Sequence, residues 1–258
     1  MKTKHLRLMQ RVYIILFFCF MYLPIAYMIV FSFNQSKGYA LFTGFTLKWY
    51  TSLLHNSAIL SALRVSLEVA LISAVIATVL GTAASLGIAS MSRKSRLVVT
   101  NITYIPVVNP EIITGISLML AFIAFGISLG FKTVLIAHIT FNIPYVILSV
   151  MPKLKQTNRY TYEAALDLGA SPLYAFFKVV FPDIVPGILS GFLMAFTMSL
   201  DDFIITHFTR GAGMDTLSTL IYSQVRRGIQ PTMYALSTLI FVAVLVLLVI
   251  TNFAPEKK

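Results

Sequence analysis

The chain has 258 residues, 58% of them hydrophobic and only 11% charged, with a mean hydropathy of +0.85. A water-soluble domain carries about 25% charged residues, so this composition excludes one and points to the bilayer. The net charge of +11 does not indicate a nucleic-acid partner, because the basic residues stand in short clusters between apolar runs rather than in a stripe with interleaved aromatics.

Six apolar stretches follow one another, and the predicted fold is all-α, a polytopic membrane protein with six transmembrane helices in one domain over residues 1–258. The first, residues 12–33, follows a basic start but is too long for a signal peptide and has no small-residue cleavage site, so it reads as a retained span. It holds Cys19, the single cysteine, which excludes a disulfide framework and a cysteine metal site. Residues 34–59 form a polar loop in which Leu47, Trp49, Tyr50, Leu53 and Leu54 are suited to the membrane interface. The second span, residues 62–90, is rich in Ala, Gly, Ser and Thr, which let helices approach closely. The third, residues 98–125, is interrupted by Pro106, Pro110 and Gly115, and the fourth covers residues 133–151. The fifth covers residues 187–208, with Gly187 and Gly191 at a helix-packing spacing, and the sixth residues 232–253.

Lysine and arginine set the orientation. With the amino terminus inside, the inner segments hold Lys2, Lys4, Arg7, Arg11, Arg93, Lys94, Arg96, Lys153, Lys155, Arg159, Lys178, Lys257 and Lys258. The outer segments hold only seven of the 20 basic residues, so the positive-inside rule predicts both termini in the cytoplasm.

Between the fourth and fifth spans, residues 161–186 read as two short helices with a sharp break. Thr161 is suited to cap the first helix, with Glu163 in its first turn, and Gly169 to end it in the left-handed conformation. Ser171 and Pro172 open the second helix, which Pro182 and Pro186 are expected to stop. Tyr162, Ala165 and Leu166 share one face, and Leu173, Phe176, Phe177 and Val180 another, as in a segment built to dock.

Glu163-Ala164-Ala165, with Gly169 four residues on and Pro182 thirteen beyond that, resembles the EAA signature of ABC-importer permease subunits. Val179 and Phe181 stand where that family prefers Ile and Leu, an apolar-for-apolar departure. Leu47-Lys48-Trp49-Tyr50 and Gly81-Thr82-Ala83 are weaker points of likeness. The resemblance implies the type I, MetI-like permease fold in a bacterial plasma membrane. It also implies that a loop at about residues 153–186 is a cytoplasmic coupling element seated on an ATPase subunit.

Catalysis has little support. His5, His55, His138 and His207 lie in different segments without metal-ligand spacing, and His138 within the fourth span suits a hydrogen-bonded core residue. There is no phosphate-cradling Gly-x-x-x-x-Gly-Lys-Ser/Thr loop and no Gly-x-Ser-x-Gly elbow, so the chain binds no ATP by the usual cradle. The carboxylates are more informative, since acids inside a membrane usually face a pathway or a partner. Asp201, fourteen residues after Gly187, and Glu111, thirteen after Val98, would each lie roughly 20 Å along a straight helix, which puts Asp201, Asp202 and Glu111 at one level. Adjacent helical positions diverge by about 100°, so one aspartate, taken as Asp201, faces the lumen more squarely. The alternative is that Asp201 and Asp202 end the span and pair with Arg210.

Ser199-Leu200-Asp201-Asp202-Phe203 and Tyr222-Ser223-Gln224-Val225-Arg226-Arg227-Gly228 resemble the polyamine (spermidine and putrescine) branch of these permeases. That likeness implies ABC ATPase subunits that bind ATP and Mg²⁺, a second homologous permease and an extracytoplasmic binding protein as partners. No cofactor is expected on this chain, and Arg226 and Arg227 become candidate contacts for the binding protein. A permease for another small solute, a secondary cation transporter or, last, an intramembrane enzyme are the competing classes. The elbow argues against the second, and the missing Ser/His or metal constellation against the third.

Overall fold

The computed structural model describes residues 2–38, 41–228 and 230–253, and among them the chain is helical, with one isolated antiparallel bridge from Asn34 to Phe45. Two compact units form: residues 1–60 with 221–258, and residues 61–220.

In the first unit, α1 (Lys2–Phe31) and α2 (Lys48–Leu54) both pack against α12 (Pro231–Phe253). The loop between α1 and α2 is organised by Asn34, whose Nδ2 donates to the carbonyls of Gly38 (3.1 Å) and Leu41 (2.9 Å). Its Oδ1 accepts from the Thr43 N–H at 2.8 Å, and its backbone carbonyl accepts from the Trp49 indole at 2.7 Å. That indole bond draws Trp49 inward, and Trp49 and Leu53 are buried while Leu47 and Leu54 stay exposed. Only part of the expected interfacial row therefore reaches the surface.

The second unit is built around α6 (Phe131–Gln156). Ala74 and Ala77 of α3 (Ser57–Ser90), Val146 and Val150 of α6 and Ala195 of α9 (Phe181–Asp201) form one buried cluster. Small residues set the distance between helices. A Cβ on Gly81 would meet Val146 side-chain atoms at 2.7 Å, one on Gly187 the Ser149 carbonyl at 3.0 Å, and one on Gly191 the Val146 Cα at 3.2 Å. The Gly187/Gly191 pair is thus a packing face against α6.

Three helix expectations are corrected. The third span is not one helix: α4 (Arg93–Val108) and α5 (Glu111–Ala124) meet at 99°, because Pro110 caps α5 in extended conformation after Asn109. The fifth span stops at Asp201, and a separate short helix, α10 (Ile204–Thr209), follows. The second elbow helix does not stop at Pro182. α8 (Pro172–Ala175) runs through a π turn, Phe176–Val180, into α9, and residues Pro172–Asp201 form one helical span. The wide turn closes with the Phe181 N–H on the Phe176 carbonyl, and Pro182, which has no N–H to lose, sits in the first turn of α9.

Among the described residues, four helices are long and apolar enough to cross a membrane, or five if the bent pair counts as one span. The sixth expected span falls in α12, whose apolar part Pro231–Val246 is shorter. The expected cytoplasmic cluster at Lys257 and Lys258 lies outside the described residues, as do the side chains of Lys2, Lys4, Arg7 and Arg159.

Candidate functional site: an acidic cavity at a helix break, and the elbow

The α9–α10 break lies within Ser199-Leu200-Asp201-Asp202-Phe203. Asp202 leaves the helical conformation, with ψ at 128°, and its carboxylate turns back over the start of α10. Oδ2 accepts from the Thr206 N–H at 2.8 Å and the Thr206 hydroxyl at 2.7 Å, while Oδ1 accepts from the Ile205 N–H at 3.3 Å. This is an N-cap made with a carboxylate, which satisfies amides that a new helix would otherwise leave orphaned. From α6, His138 Nε2 lies 3.4 Å from the same oxygen, and the Asp202 side chain is only 5% exposed.

Asp201 behaves differently. It is exposed and, with Glu111, Phe141, Thr197, Met198, Asp202, Phe203 and Ile204, lines a cavity of about 420 Å³. The 99° bend voids the straight-helix estimate of depth for Glu111. The two acids nevertheless reach one cavity, because α5 packs against α10, where Gly115 admits Phe208 and the Ile204–Ile205 backbone. Pairing of the aspartates with Arg210 does not occur: its guanidinium bonds the Asp215 carboxylate and the Met214 carbonyl. The cavity offers carboxylates beside the Phe141 and Phe203 rings, a combination that attracts cations and repels anions.

Behind the cavity wall lies a polar cluster that the sequence reading missed apart from His138. Ser199 Oγ accepts from Asn142 Nδ2 at 2.8 Å and lies 2.9 Å from Ser73 Oγ and 3.0 Å from His138 Nδ1. His138 Nε2 is 2.9 Å from Thr206 Oγ1. Ser73, His138, Asn142, Ser199 and Thr206 are all buried, and Asn142 Oδ1 has no hydrogen-bond partner among the described residues. The available signal was periodicity: His138 and Asn142 stand one turn apart, as do Asp202 and Thr206.

The elbow is a separate site. α7 (Arg159–Asp167) starts earlier than expected, because Asn158 rather than Thr161 caps it, accepting from the Tyr160 N–H at 3.0 Å. Glu163 consequently lies beyond the first turn. Gly169 ends the helix with φ at +87°, where its N–H bonds the Leu166 carbonyl (2.9 Å) and the Ala170 N–H bonds the Ala165 carbonyl (3.1 Å). That pair of bonds is a Schellman closure. Ser171 caps α8, accepting from the Tyr174 N–H at 3.4 Å. Glu163, Ala164, Gly169 and Pro182 are exposed and Ala165 is half-buried. Leu168 (89% exposed), Leu173 (72%) and Phe177 (57%) present an apolar surface around them. Arg226 and Arg227 are exposed in the last turn of α11 (Leu217–Arg227), Arg226 lying 6.0 Å from the Tyr222 ring centre. Among the described residues no cluster of His, Cys, Asp and Glu could hold a metal ion.

Residues 77–255 match the family described as binding-protein-dependent transport system inner membrane component. The chain is 40% identical over 241 residues to the putrescine transport system permease protein PotI of Escherichia coli (strain K12), covering 90% of this chain and 85% of that one. It is 33% identical over 252 residues to the spermidine/putrescine transport system permease protein PotC of the same strain, covering 98% and 96%. In fold it is similar to a chain of a bacterial ABC transporter involved in the import of the acidic polysaccharide alginate, with a TM-score of 0.76, 14% identity, and coverage of 98% and 97%. An amino acid ABC transporter chain matches with a TM-score of 0.57, 18% identity, and coverage of 78% and 94%. This chain belongs to the inner-membrane components of binding-protein-dependent transport systems. It is a multi-pass ABC-importer permease with the all-α fold of that class.

Proposed function

We propose that the chain is the permease subunit of an ATP-driven importer of polyamines such as putrescine and spermidine, and that Asp201 and Glu111 form an acidic stage on the substrate pathway. The observation that carries this reading is the cavity at the α9–α10 break, where two exposed carboxylates stand beside aromatic rings. A flexible polycation that sheds water needs both, whereas an anion would need Arg, Lys or helix N-termini. The names of the Escherichia coli relatives point to the same cargo. The test is uptake of labelled putrescine and spermidine in cells lacking their own polyamine importers, comparing Asp201→Asn and Glu111→Gln with the parent. A charge-assisted contact of about 1.5–3 kcal/mol in the limiting step corresponds to a roughly ten- to hundredfold slower rate. Normal uptake by both variants, at normal assembly, would overturn the assignment.

The elbow around Glu163, Ala164, Ala165, Gly169 and Pro182 is the proposed seat of a separate ATPase subunit, which binds ATP and Mg²⁺. Its exposed Leu168, Leu173 and Phe177 favour that role over a secondary transporter, which would have no such dock. A second homologous permease would complete the pathway, and the extracytoplasmic binding protein would meet Arg226 and Arg227. This arrangement requires both termini in the cytoplasm and residues 34–59 and 209–230 outside. In a Cys19→Ser background, cysteines at Lys37 and Arg226 should react with an impermeant thiol reagent added from outside; reaction only from the cytoplasmic side would reverse the topology.

A further inference from the structure

The hydrogens of the buried cluster can be assigned by counting donors and acceptors. Thr206 directs both its hydroxyl and its N–H to Asp202 Oδ2, at 2.7 and 2.8 Å, so its hydroxyl oxygen is left to accept. The atom that faces this oxygen is His138 Nε2, at 2.9 Å, and it must therefore be the donor. On the other side of the ring, Nδ1 lies 3.0 Å from the Ser199 hydroxyl. Ser199 in turn accepts from Asn142 and stands against Ser73 of α3. The result is a directed path from His138 of α6 through Thr206 of α10 to the Asp202 carboxylate, with Ser199 of α9 and Ser73 of α3 behind the ring.

We propose that His138 is a positioning residue of the cavity: acting through Thr206, it clamps Asp202 as the cap of α10 and so holds the helix break that leaves Asp201 facing the cavity beside Glu111. The two neighbouring aspartates then divide the work, one structural and one open to cargo. Adjacent carboxylates with identical side chains would otherwise compete for the same opening, and the 5% exposure of Asp202 against the exposed Asp201 is the outcome of the clamp. The consequence for transport rests on the polyamine reading, but the clamp itself does not.

The test uses the full complex, purified with its partner subunits in a Cys19→Ser background, with Phe203→Cys as reporter beside the break. The reaction rate of that thiol with a small methanethiosulfonate reagent reads the break without any polyamine. His138→Leu should speed the reaction about tenfold, the size of losing a hydrogen bond that supports a charged group. His138→Gln, which keeps a side-chain N–H donor, should restore most of the parental rate. In an Asp202→Ala background His138→Leu should add nothing further, because the group it acts through is gone. Thr206→Val should copy His138→Leu, and it carries the test if the leucine variant does not assemble. An unchanged thiol rate in both His138→Leu and Thr206→Val would overturn the proposal. So would a His138→Leu effect of equal size with and without Asp202→Ala, since that marks simple loss of packing. Faster thiol reaction together with undiminished uptake would keep the clamp and reject the acidic stage.

Discussion

Between Asn158 and Pro172 the chain turns a corner using only its neighbours; between Asp201 and Ile204 it turns one using a residue far away in sequence. At the elbow, the caps are Asn158 on Tyr160, the Gly169 closure onto Leu166 and Ala165, and Ser171 on Tyr174. At the break in the second unit, Asp202 caps Thr206, but the imidazole supporting that cap comes from His138, 68 positions before Thr206. The first corner survives as local chemistry and leaves its apolar side chains free for a partner. The second exists only once α6, α9 and α10 are packed, and so it couples the acidic cavity to the packing of the unit.

The largest effect on this contrast should come from Gly169→Asp. A Cβ there would meet nothing within 4 Å, so crowding is not the obstacle. The obstacle is φ at +87°, worth about 1–2 kcal/mol for a residue with a side chain, together with a charge on the apolar surface proposed to seat the ATPase. Uptake should be lost. Gly169→Asn, whose side chain tolerates positive φ without a charge, should keep most of it. Equal loss in both variants, measured as uptake with ATPase co-purification, would show that the charge is not what matters at this corner.

The same contrast explains what could be read before the fold was known. Gly169, Ser171 and Pro172 carry their conformational preference in their own backbones, so the elbow was visible as a string of letters. The cap at Asn158 was displaced to Thr161 in that reading because two cap-forming residues lie three apart, and only the Asn158–Tyr160 bond separates them. Asp201 and Asp202 were visible as acids out of place in an apolar run, and Glu111 as a third beside Pro110. Their separate surroundings were not visible, because exposure of Asp201 and burial of Asp202 depend on His138 from another helix. Nor did composition reveal that α9 runs through Pro182. Proline forbids a bond from its own nitrogen, but a π turn rearranges the bonds around it.

A smaller effect, and a sharper one, should separate the two aspartates. Asp201→Asn should slow uptake at an unchanged thermal midpoint of the complex. Asp202→Ala should lower that midpoint as well, since it removes a helix cap of about 0.5–2 kcal/mol. Equal midpoints for the two variants would remove the distinction between cargo-facing and structural carboxylates.

The smallest effect belongs to Asn158→Ala. It removes a single cap of about 1 kcal/mol, so uptake should fall by no more than about fivefold. A loss as complete as that from Gly169→Asp would mean that the elbow depends on every one of its caps, and the two corners would then be equally fragile.

The π turn at Phe176–Val180 sets the angular phase between the elbow and the fifth span. Its ladder runs from residue i to i+5, one residue more per closure than the α-helical helices on either side. Deleting one residue there would close the ladder in α geometry and keep the angular phase between the Ser171 cap and the Gly187–Gly191 face, but it would set the Pro182 ring against the carbonyl four residues earlier and bend the joint. Deleting a second would have no surplus left to absorb it, and would rotate that glycine face about 100° away from α6. The surplus residue of the wide turn thus lets a proline-bearing joint connect the exposed corner to the packed interior without a break.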